Sequence, residues 1–205
     1  MQPNQTPKKH SLFCKPTADE NRIGLYKSSH DFHGKSISFR SMNLKGDIDL
    51  IYDWVNRDYS KKFWQLNGSK QLVQDTYNAI LDNPATHSFI GLLNNTPVCQ
   101  VDIYLVLADE LASFVESSQD DCGMHFLMMP PEERPKGLAL AMFKAFLSYY
   151  FSFQQATTMY GEPDCHNVKA NQLVQASGFK FLSTIKLSYK TAYLYRLLKS
   201  EFLSN

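Results

Sequence analysis

The segment between Cys122 and Phe153 constrains the fold of this chain more than any other. It begins with Cys122–Met129, a run that is apolar at nearly every position, and it ends with Gly137–Phe153, which is apolar almost all round at helical spacing. A strand that is apolar on both faces belongs inside a sheet, and a helix that is apolar all round must be buried. The segment therefore predicts a strand–loop–helix unit at the centre of an α/β domain.

Hydrophobic periodicity predicts further strands and helices on both sides of this unit. Before it, we expect a strand over 36–42, a helix over 47–56, a helix over 69–81 that begins at the cap residue Ser69, and two strands over 87–93 and 98–106. The second of these helices should turn Leu72, Val73, Tyr77, Ile80 and Leu81 inward. After the unit, we expect a strand over 157–160, a helix over 167–177 that Asn167 caps and Gly178 ends, and strands over 180–186 and 189–197.

A chain of 205 residues has the length of one domain. Residues 1–35 are polar and lack clear periodicity, so they predict a mobile or loosely docked arm before a domain that spans 36–205. The N-terminus has no apolar core of a secretory signal, and no apolar run is long enough to cross a membrane. We therefore expect a cytoplasmic protein that binds no membrane.

The charge balance and the cysteines exclude two further classes of function. The 21 Lys and Arg residues against 20 Asp and Glu residues leave a net charge of +1, which argues against a nucleic-acid partner. The four cysteines, at 14, 99, 122 and 165, form no CxxC pair. With this spacing we expect reduced thiols. His30 and His33 have no cysteine beside them, so we also expect no metal site.

The loop before the central helix is a candidate phosphate site. Arg134 and Lys136 supply positive charge, and Gly137 lets the backbone come close to a ligand. A helix N-terminus adds free N–H groups and the positive end of the helix dipole. The same residues could instead form a solvated loop with a helix-starting glycine, and Pro135 lacks one of the amides that such a site would use.

His125 and Asp164 are the candidate proton-transfer residues. His125 lies in the middle of the apolar strand, as either a satisfied core histidine or a functional one. Asp164 follows the next strand, and neighbouring central strands would bring it close to His125. A carboxylate there could orient or charge the imidazole, although Asp164 could also be only a turn residue after Pro163.

Two motifs resemble the GCN5-related N-acetyltransferase superfamily. Arg134-x-x-Gly137-x-Ala139 is similar to its acyl-CoA pyrophosphate loop, and Asn167-x-x-Ala170-x-x-Leu173 before Gly178-Phe179 is similar to its fourth helix. The resemblance implies a single α/β acyl-CoA N-acyltransferase fold, with a mixed central sheet and helices on both faces. It also implies an oxyanion donor from the backbone near Phe126–Met128. The acyl-CoA contacts that it implies are Arg134, Lys136, Gly137, Leu138, Ala139, Met128 and Asn167.

A narrower set of segments resembles the siderophore-biosynthesis acyltransferases. These segments are Phe63-Trp64, His87–Gly91, Gln100–Asp102, Gly123–His125, Glu162–Asp164 with Asn167, and Lys186–Lys190. By motif, His125 is implied to be the general base or substrate orienter, and Asp164 to position it or to bind the incoming amine. The candidate acceptor contacts are Trp64, His87, Gln100, Asp102, Glu162 and Lys190. Gln100 and Asp102 could equally be exposed polar residues of a strand, and Trp64 could be ordinary core packing.

The resemblance implies transfer from acetyl-CoA or succinyl-CoA to an N-hydroxylated diamine or N6-hydroxylysine, which forms a hydroxamate. A hydroxylamine nitrogen is less basic than an alkylamine, so it is largely neutral near pH 7 and needs proton removal mainly as the adduct forms. A succinyl donor would need a cation at its far end, for which Arg40, Lys186 and Lys190 are candidates.

Several alternatives stay open at this point. The acceptor could be a polyamine, a lysine side chain or an aminoglycoside, or the domain could bind acyl-CoA without catalysis. The presence of both His125 and Asp164 argues against the non-catalytic alternative. Residues 167–177 contain no tyrosine to protonate the departing thiolate, which leaves Asn167, a water or direct release. Exposed strand edges would allow a homodimer.

Overall fold

The computed structural model describes residues 11–13, 15, 24–29 and 31–204. Within them, one sheet contains eight strands in the order β1-β2-β3-β4-β5-β6-β8-β7. The strands are β1 (Gly24–Lys27), β2 (Ile37–Ser41), β3 (Thr86–Leu93), β4 (Thr96–Leu105), β5 (Cys122–Met128), β6 (Thr158–Gly161), β7 (Lys180–Lys186) and β8 (Thr191–Leu198). The helices are α1 (Leu44–Asn56), α2 (Asp58–Trp64), α3 (Lys70–Asp82), α4 (Leu138–Ser152), α5 (Val168–Ala176) and α6 (Lys199–Leu203).

The pairing of β5 with β6 is the feature of the sheet that matters most for function. Every other neighbouring pair of strands is antiparallel, whereas β5 and β6 are parallel. Their ladder consists only of Cys122 with Met159 and Gly123 with Tyr160, although β5 continues to Met128. The sheet therefore opens into a wedge beyond Gly123, where β5 still pairs with β4 but has no strand beside it on the β6 side.

Helices cover both faces of the sheet, as the family resemblance implies. On one face, α4 packs its Phe143 and Phe146 against a large apolar cluster that includes Phe89 of β3. On the other face, α1 and α3 pack Trp54 and Tyr77 in a second cluster. The strand–loop–helix unit around β5 and α4 is confirmed, because both elements are buried at most positions. No helix in the described part of the chain combines the length and the apolar character needed to span a bilayer.

The β3–β4 hairpin shows how the sequence determines the local fold. Asn94 and Asn95 have φ of 46° and 66°, the left-handed conformation that a two-residue turn between twisted strands requires. Asparagine tolerates this conformation better than most residues. The turn is thus two residues long, and Thr96 and Pro97 already lie in β4.

Two expectations about the first half of the domain differ from the structure. Leu72 is 44% exposed rather than inward, because it lies in the first turn of α3, beyond the part that packs on the sheet. The described parts of residues 1–35 also pack on the domain instead of forming a loosely docked arm. Leu12 and Phe13 are buried in the core, and β1 pairs with the outer edge of β2. The apolar Leu12-Phe13 pair and the open edge of β2 are the physical reasons for this docking.

The described cysteines are free thiols. Cys99 and Cys122 are buried and Cys165 is partly exposed, and burial raises the pKa of Cys122 to about 12. Cys14 and His30 lie outside the described residues.

Candidate active site

A cavity of about 870 Å³, open to solvent, lies where β5 and β6 diverge. Its walls come from α2, β5, α4, α5, the segment after β6 and the turn between β7 and β8. The lining residues are Phe63, Trp64, Met124, His125, Phe126, Phe143, Gly161, Glu162, Pro163, Asp164, Asn167, Ala170, Leu173, Val174, Tyr189 and Lys190.

The cavity has an apolar part and a polar part because side chains alternate along β5. Phe126 points to the α4 face of the sheet, where the centroid of its ring lies 5.0 Å from that of Phe143. His125 points to the opposite face, where the centroid of its ring lies 5.2 Å from that of Tyr104 and 6.2 Å from that of Trp64. The opening in the sheet joins the two parts, so a ligand entering beside α4 can meet a ligand entering beside α2.

His125 and Glu162 form a buried ion-pair site in the polar part. Nε2 of His125 lies 2.8 Å from Oε1 of Glu162. The Glu162 side chain is only 2% exposed, and it also accepts hydrogen bonds from the Tyr104 hydroxyl at 2.8 Å and from Lys190 Nζ at 3.4 Å. These donors account for both carboxylate oxygens, so the buried charge is compensated.

Each partner shifts the pKa of the other in the direction that favours its charged form. Burial by itself raises the pKa of Glu162, but the charge and hydrogen bond of His125, with help from Lys190 and Tyr104, lower it to about 2. Burial by itself lowers the pKa of His125, but the Glu162 carboxylate outweighs this effect and the pKa is raised. The site can therefore hold a proton on His125 opposite a permanent negative charge.

The hydrogen bond to Glu162 also assigns the two nitrogens of the imidazole. In the neutral form, Nε2–H donates to Glu162 and Nδ1 is the unprotonated nitrogen. Among the described residues, Nδ1 has no hydrogen-bond partner, and 39% of the side chain is exposed. Nδ1 is thus the atom that can accept a proton from a substrate.

Gly123 lets Tyr104 reach Glu162. The two residues are directly opposite each other on β4 and β5. A Cβ atom on Gly123 would lie 2.1–2.5 Å from three atoms at the tip of the Tyr104 side chain. The ring therefore occupies the space above the glycine, which explains why the chain has glycine two residues before His125.

The backbone of β5 directs N–H groups into the wedge, whereas the Met128 carbonyl on the same side accepts a hydrogen bond from the Tyr59 hydroxyl. Met129 N–H donates to Val98 O of β4 at 2.9 Å, and hydrogen-bonding direction alternates along an antiparallel strand. The N–H groups of Phe126 and Met128 therefore point away from β4, toward the opening. This part of β5 can donate hydrogen bonds to a ligand carbonyl.

The loop before α4 presents a second set of donors. Gly137 has φ +88° and precedes Leu138, the first residue of α4. The N–H groups of the first helical turn, including that of Ala139, have no acceptor within the helix. Leu138 N–H instead donates to Pro135 O at 3.2 Å, and the Leu138 side chain is buried in the core. Arg134 is half-buried beside Tyr59, and Lys136 is exposed, so positive charge flanks these amides.

Comparison with known proteins identifies the family. A family profile described as the acetyltransferase (GNAT) domain matches residues 43–187, well over half of the chain. The chain belongs to the GNAT acetyltransferase family. The resemblance to this superfamily is confirmed, and so is the class of enzyme, an acyl-CoA-dependent amine N-acyltransferase.

Named relatives include acyltransferases that act on a hydroxylated diamine and on lysine. An N-hydroxyputrescine acetyltransferase of Acinetobacter baumannii is 25% identical over 83% of this chain and 81% of its own length. A lysine N-acyltransferase of Mycolicibacterium paratuberculosis is 20% identical over 74% of this chain and 69% of its own length. A solved aminoglycoside acetyltransferase in complex with coenzyme A has a TM-score of 0.75 at 21% identity, covering 83% of this chain and 99% of that one.

Glu162, not Asp164, is the carboxylate that orients His125 in this GNAT domain. Asp164 lines the same cavity, but its Oδ1 accepts a hydrogen bond from His166 N at 2.7 Å. The prediction that Asp164 positions the histidine is therefore wrong. The reason is the length of β6, which ends at Gly161 and places residue 162 beside the opening. Asp164 lies further on, in the turn before α5.

The turn after β6 also brings together three groups that metals favour. Asp164, Cys165 and His166 place one potential ligand atom each within 4.8 Å of one another. Hydrogen bonds between Asp164 and His166 account for this arrangement without an ion. Asn167 lines the cavity and caps α5, with its Oδ1 accepting from Ala170 N at 3.1 Å.

Of the six expected acceptor contacts, Trp64, Glu162 and Lys190 line the cavity and His87 does not. His87 lies on the α4 face, where its Nε2 is 2.7 Å from Ser41 Oγ and its Nδ1 is 2.6 Å from Leu12 O. Burial lowers the pKa of His87 to about 4. The expectation of a substrate contact is wrong, because alternation along β3 turns this side chain into the core.

Gln100 and Asp102 also differ from the expectation. They share the face of His125, as the period of the strand predicts, but both are buried outside the cavity. Asp102 accepts hydrogen bonds from Gln100 Nε2 and Ser88 Oγ, and burial raises its pKa. The pair thus forms a buried polar group beside His125, with Asp102 directly opposite it on β4.

The cations considered for a succinyl group are not free in the cavity. Arg40 forms a bidentate ion pair with Asp47, in which its two terminal nitrogens lie 2.6 and 2.7 Å from the two carboxylate oxygens. Lys186 is exposed at the end of β7 and lies outside the cavity walls. Lys190 lines the cavity but is paired with Glu162.

Proposed function

We propose that this protein transfers an acetyl group from acetyl-CoA to the hydroxylamine nitrogen of an N-hydroxylated diamine, forming a hydroxamate for siderophore synthesis. The observation that carries the proposal is the His125–Glu162 pair in the opening of the sheet, with Nδ1 of His125 available to a substrate. The N-hydroxyputrescine acetyltransferase among the relatives supports the same acceptor class.

The charges of the cavity favour a diamine over N6-hydroxylysine. The described lining residues include two carboxylates, Glu162 and Asp164, and one lysine, Lys190, which is paired with Glu162. No lysine or arginine of this lining is left to pair with the α-carboxylate of an amino acid. Asp164 can instead pair with the distal ammonium of a diamine. The same shortage of cations favours acetyl-CoA over succinyl-CoA as the donor.

The chain's own groups supply the steps of acyl transfer. The neutral hydroxylamine nitrogen attacks the thioester carbonyl, and a C–N bond forms while Nδ1 of His125 accepts the proton from that nitrogen. Glu162 stabilises the resulting imidazolium. The C–S bond then breaks, and His125 returns the proton to the departing thiolate. His125 can thus act as both base and acid, which accounts for an α5 helix without tyrosine.

The backbone of β5 supplies the stabilising donors. The N–H groups of Phe126 and Met128 point into the opening and can donate to the oxyanion of the tetrahedral adduct. Arg134, Lys136, Gly137 and the first turn of α4 can hold the pyrophosphate of the acyl-CoA. The donor then lies on the α4 side of the opening and the acceptor on the α2 side.

Release of free CoA measures this activity directly. The substrates are acetyl-CoA and succinyl-CoA, each against N-hydroxyputrescine, N-hydroxycadaverine, N6-hydroxylysine and the parent amines. We expect turnover to be best with acetyl-CoA and a hydroxylated diamine, and His125→Ala to lower it by about 10²–10⁴-fold with acyl-CoA binding intact. Equal turnover of putrescine and N-hydroxyputrescine would contradict the proposal and indicate a polyamine acetyltransferase. Acyl-CoA binding without any turnover would indicate a non-catalytic domain.

A further inference from the structure

We propose that Lys190 selects N-hydroxylated acceptors over plain amines, and that Glu110 positions Lys190 through the turn between β7 and β8. The inference rests on the proposed function and adds the residue that determines the preference. Its evidence is the placement of the lysine ammonium in the cavity beside Glu162, the carboxylate bonded to His125, together with the contacts that fix the turn.

Lys190 shares a carboxylate oxygen with the catalytic histidine. Its Nζ lies 3.4 Å from Oε1 of Glu162, and the same oxygen is 2.8 Å from Nε2 of His125. The Lys190 side chain lines the cavity and is only 12% exposed, so its charge is poorly screened by solvent. Lys190 and His125 line the same cavity, so the proposal places the hydroxyl oxygen of an acceptor bound at Nδ1 on the side of the lysine.

A cation at this point distinguishes the two kinds of acceptor. A plain alkylamine has a pKa of about 10 and reaches the site as an ammonium ion, which Lys190 repels. A hydroxylamine is largely neutral near pH 7, and its oxygen can accept a hydrogen bond from Lys190 Nζ. The same group attracts one substrate and repels the other, which is how specificity arises from a difference of affinities.

The turn that carries Lys190 is held from two sides. Glu110 accepts two hydrogen bonds from Ser188, one from its backbone N at 2.8 Å and one from its Oγ at 2.9 Å. Gln65, just after α2, donates to Tyr189 O at 3.2 Å. Leu187 N–H closes the turn by donating to Lys190 O at 2.9 Å.

Glu110 acts on the site only through this turn. It does not line the cavity, and it lies in a 3₁₀ helix over Glu110–Ser113 whose Leu111 is buried in the same apolar cluster as Leu187. The 3₁₀ helix and the turn are therefore packed together, with the Glu110 carboxylate fixing the backbone two residues before Lys190. Glu110 is a positioning residue.

The test compares kcat/KM for N-hydroxyputrescine with kcat/KM for putrescine, using acetyl-CoA as donor. We expect Lys190→Met to lower this ratio at least about tenfold, as loss of a charged hydrogen bond does, and to leave the KM for acetyl-CoA unchanged. Lys186→Met is the matched control on the same hairpin and should leave the ratio unchanged. A preference that survives Lys190→Met overturns the inference and leaves the proposed function standing. A wild-type protein without any preference overturns the proposed function, and this inference with it.

Two further variants separate charge from folding and test Glu110. Lys190→Arg keeps the cation and should keep most of the preference, even if Lys190→Met lowers the melting temperature by leaving Glu162 short of a partner. Glu110→Gln should lower the ratio alone but have no further effect in the Lys190→Met background, because the two residues act in series. Additive effects of these two substitutions overturn the positioning role of Glu110.

Discussion

Glu162 accepts a hydrogen bond from His125 at 2.8 Å across the gap where β5 and β6 part. His125 lies on β5, and Glu162 directly follows β6, the neighbouring strand, at a level where the two strands have stopped pairing. A buried carboxylate next to a partly exposed imidazole fixes the tautomer, raises the pKa of His125 and leaves Nδ1 open to the cavity. The divergence of two strands thus provides both the space for a substrate and the orientation of the proton acceptor.

Glu162→Gln tests the role of that carboxylate. The amide keeps the size of the side chain but removes the charge that raises the pKa of His125. We expect kcat/KM for the hydroxylated acceptor to fall about 10²-fold, at the low end of what a general base contributes. In a plot of kcat/KM against pH, the rate should rise as His125 loses its proton. This rising limb of the profile should lie at lower pH in the variant, because the pKa of His125 is lower without the carboxylate. The measurement is a pH profile of kcat/KM for both proteins.

Asp164→Asn is the matched control for Glu162→Gln. Asp164 lines the cavity but bonds His166 rather than His125. We expect this variant to raise the KM for a diamine acceptor severalfold, by loss of one charge pair, without moving the pH limb of kcat/KM. A shift of that limb in Asp164→Asn, and none in Glu162→Gln, would restore Asp164 as the orienting residue.

Gly123→Ala tests the contact that lets Tyr104 reach Glu162. The new methyl group would lie 2.1–2.5 Å from the tip of the Tyr104 side chain, so the ring must move. We expect the free energy of unfolding to fall by about 1–3 kcal/mol, as in overpacked cores, and turnover to fall with it because Glu162 loses a donor. Thermal unfolding and the CoA-release rate measure the two effects. Combining Gly123→Ala with Tyr104→Leu should recover stability but not activity, whereas unchanged single-variant stability would contradict the contact.

The sequence was most informative where burial alone determines structure. The strand at Cys122–Met128 and the helix at Leu138–Ser152 follow from their apolar character, and the cap at Ser69 follows from local hydrogen bonding. The exchange of roles between Glu162 and Asp164 was not predictable in this way, because it depends on where β6 stops pairing. His87 shows the same limit, since its partner Leu12 lies 75 residues away along the chain.

Gly137→Ala tests the loop before α4 as the site of the acyl-CoA phosphates. Space is available for the methyl group, whose nearest neighbour would be Phe32 at 3.8 Å, but φ is +88°. An L-residue is strained there by about 1 kcal/mol. We expect a severalfold higher KM for acetyl-CoA at an unchanged KM for the acceptor. Gly46→Ala, in open space on α1, is the matched control and should alter neither KM. An effect on the acceptor KM alone would place the acyl-CoA elsewhere.

His87 should make the domain acid-sensitive. Burial lowers its pKa from 6.5 to about 4, so the unfolded chain binds more protons than the folded one between these two values. The free energy of unfolding should therefore fall as the pH decreases from about 6.5 toward 4, by an amount on the order of 3 kcal/mol. Glu162, whose pKa is lowered to about 2, should lower the free energy of unfolding further as the pH falls below 4.5. Denaturant unfolding from pH 7 to 4 measures the slope, and His87→Gln, which can bond Ser41 but does not titrate, should flatten it. If the free energy of unfolding depends on pH equally in the variant and the wild type, other groups cause the acid sensitivity.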